Sequence, residues 1–387
     1  MNKLVLISSL SVALWFNPAY ADTGSVSSNS QSRSLNSIMT GIGDIMLEVY
    51  PLIVTKRAFT QRDTARLSED LTQLSVLFHQ AEPFIDKKPA GYQISYEFIS
   101  QYLAVVKDVL KHDDVDYARS HLYALGEICT SCHTQDTTLR TLFGGTTRDQ
   151  LPDDYAFAEL NYMTRNYDEA VRYYEKFLDS PGRKTELQII QPLQRIITIY
   201  TQVENNPADG IKILKKYRHL KQHTPETLAE LDNWIRGLKV LKSDGVSNKT
   251  PVTFANLQVY VKKYLGSSEH LPLQNQSSAT EEVQRVWLRG QLYHYLNHAP
   301  KENEVPMLLY WLAVVDRSIA YNFYFSLADL YLKQCVLKYP AHPYAQRCFD
   351  EFKNYADYTY LRQGQEIPSG IQQEIAQMQN VLQQNKP

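Results

Sequence analysis

The stretch Leu67-Ser-Glu-Asp-Leu71-Thr-Gln-Leu74-Ser-Val-Leu-Phe78-His-Gln-Ala81 decides how the first part of this chain is read. Apolar residues stand at 67, 71, 74, 78 and 81, alternating steps of four and three that only an α-helix can place on one face. Similar stripes lie on either side. Leu35, Ile38, Met39, Ile42, Met46, Val49, Tyr50 and Ile53 precede it, and Ile94, Phe98, Tyr102, Val105 and Val109 come after the breakers Pro83, Pro89 and Gly91. A fourth stripe runs from Asp113-Asp114, whose carboxylates suit a helix N-terminus, through Ala118, Leu122 and Leu125 to Cys129 and Cys132. Long alternating β-branched runs are absent, and the 387 residues hold only 15 glycines against 27 tyrosines. The expectation is an all-α protein, with residues 34–145 forming an up-down-up-down four-helix bundle.

The fourth stripe carries the most specific chemistry in the chain, Cys129-Thr130-Ser131-Cys132-His133. A C-x-x-C-H run reads as covalent c-type haem attachment: two thiols for the vinyl groups and an imidazole placed for the iron. A zinc site would need two further ligands, and a thioredoxin-like motif a preceding strand; neither context is present. Four helices with this motif late in the last one resemble cytochrome c-prime and its low-spin relatives. The resemblance covers residues 34 to about 143. It departs where an arginine commonly comes soon after the haem histidine: Thr134-Gln135-Asp136 stands there, and Arg140 comes two turns later.

In an antiparallel bundle the start of the first helix lies beside the end of the fourth, so Met39 falls level with His133 and is the expected second axial ligand. Met46 lies about 10 Å further along. A vacant sixth position, or a histidine such as His79 or His121, remains the alternative. His121 is on the helix that carries His133, cannot reach the opposite haem face, and reads as a polar-edge residue.

The first 21 residues form an export signal: Lys3, an apolar run from Leu4 to Phe16, and Ala19-Tyr20-Ala21 as cleavage site. The run is shorter than the ~20 residues of a membrane span. Residues 22–33 form a polar, serine-rich linker. The mature chain is expected in the periplasm with no stable membrane anchor, where covalent haem attachment is made. A net charge of −2 without a basic block argues against nucleic acid as partner.

From residue 146 to 387 the period changes. Asn166 to Phe177 returns as Asn206 to Tyr217, an offset of 40 with matching small and apolar positions, which signals stacked helix pairs. The unit Tyr155–Leu178 resembles a tetratricopeptide repeat, with Ala158 and Ala170 where helices approach; the second copy has Gly210. Further helices are expected at 225–241, 251–264, 281–296, 305–338, 343–360 and 370–384. Cys335 and Cys348 are placed to staple a helical hairpin in an oxidising compartment.

These readings combine into an exported monohaem electron carrier whose repeat half docks a redox partner. The alternative is a haem-based gas sensor with an open sixth position. No G-x-S-x-G, H-E-x-x-H or phosphate-binding glycine loop supports an enzyme.

Overall fold

The computed structural model describes residues 34–54, 59–110, 119, 121–123, 125–126, 147–220, 223–246, 253–266, 279–298, 300–319 and 327–385. Among them every regular element is helical and none is a strand. The chain is all-α.

Three long helices begin it: α1 (Leu35–Val54), α2 (Gln61–Ile85) and α3 (Ala90–Val109). Thr60 starts α2 through a capping box with Asp63, satisfying two of the N–H groups that a helix start leaves open. The 67–81 stripe packs as its spacing requires, with Leu67, Leu71, Leu74, Phe78 and Ala81 all buried. α2 runs through Pro83 and stops only at Asp86. α1 is 20 residues long and holds an 18-residue window with a mean hydropathy of 1.4, the one described helix with the length and apolarity of a membrane span. Its face Ile38, Ile42, Val49, Tyr50 and Ile53 is buried in the first apolar cluster.

On α3 the expected stripe is corrected. Ile99, Tyr102, Leu103 and Val106 enter the first cluster, while Ile94 belongs to a second one and Val105 and Val109 are only half-buried. The reason is that α3 has neighbours on two sides: α2 on one, and two later helices on the other. Residues 119, 121–123, 125 and 126 are helical, and Leu122 and Leu125 are buried in the first cluster. The expected start of that helix at Asp113-Asp114, the boundary at 145/146, the leader 1–21 and the linker 22–33 lie outside the described residues.

The second part contains α4 (Asp154–Met163), α5 (Tyr167–Asp179), α6 (Glu186–Thr198), α7 (Pro207–Arg218), α8 (Pro225–Ser243), α9 (Phe254–Leu265), α10 (Ala279–His298), α11 (Val305–Ser318), α12 (Ala328–Lys338), α13 (Pro343–Tyr360) and α14 (Ser369–Gln384). The 40-residue offset is visible in three dimensions. Tyr167, Ala170 and Tyr174 on α5 are buried, as are Pro207, Gly210 and Leu214 on α7. The preceding turns match too: Arg165 and Asn205, 40 apart, both take left-handed backbone angles, φ 63° and 45°. Gly210 marks a close approach, since a Cβ there would lie 3.2 Å from Leu238 Cδ1.

The single helix expected over 305–338 is two. α11 ends at Ser318, Ile319 is extended (φ −93°, ψ 141°), and the Leu327 N–H donates to Asp316 Oδ2 at 2.9 Å before α12. A buried carboxylate anchoring a backbone N–H eleven residues away cannot be read from periodicity. Cys335 and Cys348 lie at disulfide distance, with Cα atoms 6.3 Å apart, joining α12 to α13.

Two apolar clusters organise the molecule, and they interleave. Leu151, Ala156 and Leu160 enter the first, while Ala158 and Tyr162, on the same helix α4, enter the second. Polar contacts also join the first three helices to later ones. Tyr50 donates to the Ala156 carbonyl at 2.9 Å, Ser95 and Tyr293 share a hydroxyl contact at 2.5 Å, and Gln334 donates to Glu97 at 2.5 Å.

Candidate functional site

Cys129, Cys132 and His133 lie outside the described residues, as does Arg140. The surroundings of the helical residues 119, 121–123, 125 and 126 ahead of them are described in part. Arg119 Nε donates to the Leu52 carbonyl at 3.5 Å, and its guanidinium lies 4.7 Å over the Phe59 ring. Arg119 therefore sits beside the end of α1.

Two residues on, His121 is 5% exposed, and its Nδ1 lies 2.8 Å from the Tyr102 hydroxyl on α3. The polar-edge expectation for this residue is corrected: its imidazole is buried, held by a tyrosine. Burial pushes the His121 pKa below its ordinary value, because the charged ring would lose its water. Leu122 and Leu125 flank it in the core. At Gly126 a Cβ would fall 2.6 Å from Met163 Sδ, so glycine lets α4 close against this helix.

Met39 is half-buried on α1 and packs against the first cluster beside buried Ile38 and Ile42. Its side chain thus packs against apolar residues without being sealed in the core. Met46 is likewise half-buried. His79 points the other way: its side chain is 84% exposed, 3.2 Å from Glu82 on the solvent face of α2. Of the histidines weighed as ligands, one is a core residue bonded to tyrosine and one is on the surface.

A feature that sequence patterns do not single out lies directly against this helix. Glu159 of α4 is 2% exposed. Its Oε2 accepts from the Tyr123 hydroxyl at 2.8 Å, and its Oε1 from Tyr174 at 2.5 Å and from Arg195 Nε at 3.2 Å. Arg195 also reaches Tyr123 at 3.3 Å and lies 4.9 Å over the Tyr162 ring. A buried carboxylate is tolerated only when paired and hydrogen-bonded, and here donors from three elements meet that requirement. Burial first, and the Glu159 charge second, raise the Tyr174 pKa well above the ordinary tyrosine value. The same causes act on Tyr50. Both phenols therefore stay protonated as donors. The available signal was a glutamate inside the otherwise apolar run Ala156 to Leu160, a pattern that a solvated helix face does not need.

Among the described residues no group of three or more His, Cys, Asp and Glu gathers as a metal site. No protein-family model, no curated protein and no solved structure matches the chain.

Proposed function

We propose that the chain is an exported c-type cytochrome that carries one electron, with Cys129 and Cys132 binding haem covalently and His133 holding its iron. The observation that carries this reading is the C-x-x-C-H run, placed after a helix whose described residues pack into a helical core. Covalently held haem supplies a one-electron iron couple. Met39 fits the second axial position by its chemistry, a soft thioether on the apolar side of α1. The contact of Arg119, ahead of His133 in the chain, with Leu52 at the end of α1 supports the antiparallel pairing that would set Met39 level with His133. Leu122, Leu125 and the Tyr102–His121 pair exclude water from the bundle interior.

The proposal includes the finer architecture. Residues 34–145 form a four-helix bundle of the cytochrome c-prime type, and residues 146–387 form a tetratricopeptide-like stack that docks a redox partner protein. The matched burial and matched left-handed turns of the 40-residue offset support the stack. An export signal ending at Ala21 places the mature protein in the periplasm.

The test is spectroscopic. Full-length protein made with a c-type haem maturation system is expected to hold one haem that survives denaturing electrophoresis, lost in Cys129→Ser/Cys132→Ser. Oxidised protein should show a far-red methionine–iron band that vanishes in Met39→Ala. Absence of covalent haem overturns the proposal. Covalent haem that lacks this band and binds carbon monoxide moves the function to gas sensing.

A further inference from the structure

We infer that Glu230 on α8 forms, with Glu282 on α10 and Glu186 on α6, a proton-sensitive joint that holds these three helices together more firmly when Glu230 is protonated. Thr227, Glu230 and Trp234 stand three and four residues apart, so they share one side of α8. At one end of that row the Thr227 hydroxyl donates to Glu186 Oε1 at 2.9 Å. At the other end Trp234 donates from Nε1 to Glu282 Oε2 at 3.2 Å. Glu230 thus lies about one turn from each of two carboxylates that other helices bring to α8.

The crossing is closed to water. Glu282 is 5% exposed, Trp234 is fully buried, and Glu230 is half-buried. Like charges repel more strongly there than on an open surface, because little solvent stands between them.

The nearby cations do not face Glu230. On α10, Arg285 shares its charge between Glu281, 3.8 Å away, and Glu282, and its Nε points to the Tyr264 carbonyl of α9 at 3.5 Å. α7 sends Arg218 onto Asp232, two residues beyond Glu230 and so on the other side of α8. Lys216 of α7 is held by Glu175 and Asp179. The charges that act on Glu230 are those of Glu282 and Glu186, both negative.

Burial first, then Glu282 and Glu186, push the Glu230 pKa from 4.5 up to about 7. The folded chain therefore holds this proton more tightly than the unfolded one. Below pH 4.5 both states are protonated and the joint is at its firmest. Stability falls as pH rises from 4.5 to about 7, where the folded state loses the proton too, and is level above that. The inference stands on the junction of α6, α8 and α10 and does not depend on the haem reading.

Glu230→Gln keeps the shape of the protonated acid and cannot ionise. Thermal melts of full-length protein from pH 4.5 to 8.5 are compared with the parent at each pH, so that titration elsewhere cancels. The variant is expected to melt with the parent at pH 4.5 and progressively above it up to neutral pH, with a constant gap beyond. Glu226→Gln, an exposed glutamate one turn earlier on α8, should show no gap that grows with pH. In a Glu282→Gln background, which keeps an oxygen for Trp234, the rise of the Glu230→Gln gap should move to lower pH. Should that background not fold, exposed Glu186→Gln carries the same test. A gap that is equal at every pH, has the opposite sign, is matched by Glu226→Gln, or keeps its pH range when the neighbouring carboxylate is removed overturns the inference.

Discussion

His121 and Glu159 are two polar groups that the fold buries, and their partners explain why each is tolerated. The imidazole of His121 keeps a hydrogen bond to Tyr102, while the Glu159 carboxyl group collects donors from Tyr123, Tyr174 and Arg195. The depressed pKa of His121 has a direct consequence for stability. The folded state binds the proton less readily than the unfolded chain, whose histidines titrate near 6.5. Stability from this residue is present above pH 6.5 and is lost as pH falls below it, because the unfolded chain then gains protons that the folded one refuses. Thermal melts from pH 7.5 to 5.0 should show the parent losing more stability on acidification than His121→Gln, which keeps a hydrogen-bonding side chain but does not titrate. Equal slopes for the two proteins would remove this assignment.

At the scale of elements, the junction of α6, α7 and α10 shows how a local irregularity serves packing. After Thr198 the chain continues as a π-helical turn, Ile199–Val203, closed by Glu204 N–H to the Ile199 carbonyl at 2.9 Å. Such a turn inserts a residue and re-aims the chain beyond it. Asn205 then takes its left-handed angle and accepts from Trp287 Nε1 at 2.8 Å, while Gln202 reaches into α10. The contact leaves no room: a Cβ on Gly290 would sit 2.8 Å from Gln202 Cγ and 3.1 Å from its Cβ. Gly290→Ala gains helix propensity but forces Gln202 off the Val286 carbonyl, and overpacking of this kind costs about 1–3 kcal/mol. Urea denaturation should show a lower midpoint with an unchanged slope. A midpoint equal to or above the parent's would show that the crossing is loose.

For the whole molecule, the interleaving of the two clusters matters most. α4 buries Ala156 and Leu160 in one and Ala158 and Tyr162 in the other, and α3 does the same with Ile99 and Ile94. Helices shared in this way transmit a loss of packing in either cluster to the other. Trp234, Trp287 and Trp311 all lie in the second cluster, so their fluorescence reports on it. Leu71, fully buried on α2, belongs to the first. Leu71→Ala is expected to destabilise the protein by about 2–5 kcal/mol and to lower the tryptophan-detected midpoint along with the one seen by far-UV circular dichroism. A tryptophan midpoint that stays put would mean that the clusters melt independently.

Much of the helical order is legible in the sequence, since helix period, Thr60 with Asp63, and the proline starts at 225 and 343 are local signals set by backbone geometry. The stripe on α2, the cysteine pair 335/348 and the 40-residue offset belong to that class. The residues beside the candidate site do not. Periodicity states that a helix has an apolar face but not how many neighbours share it, which is why the α3 stripe divides between two clusters. It is equally silent on a charge whose partners are distant in the chain: Glu159 meets Arg195 36 residues on, and Asp316 meets the Leu327 N–H across a broken helix. The motif Cys129 to His133 names a chemistry through covalent spacing alone. Which groups surround the helical residues before it, from buried Tyr102 and His121 to Glu159 on α4, was decided by tertiary packing, because burying a polar group depends on donors that only the folded chain brings together.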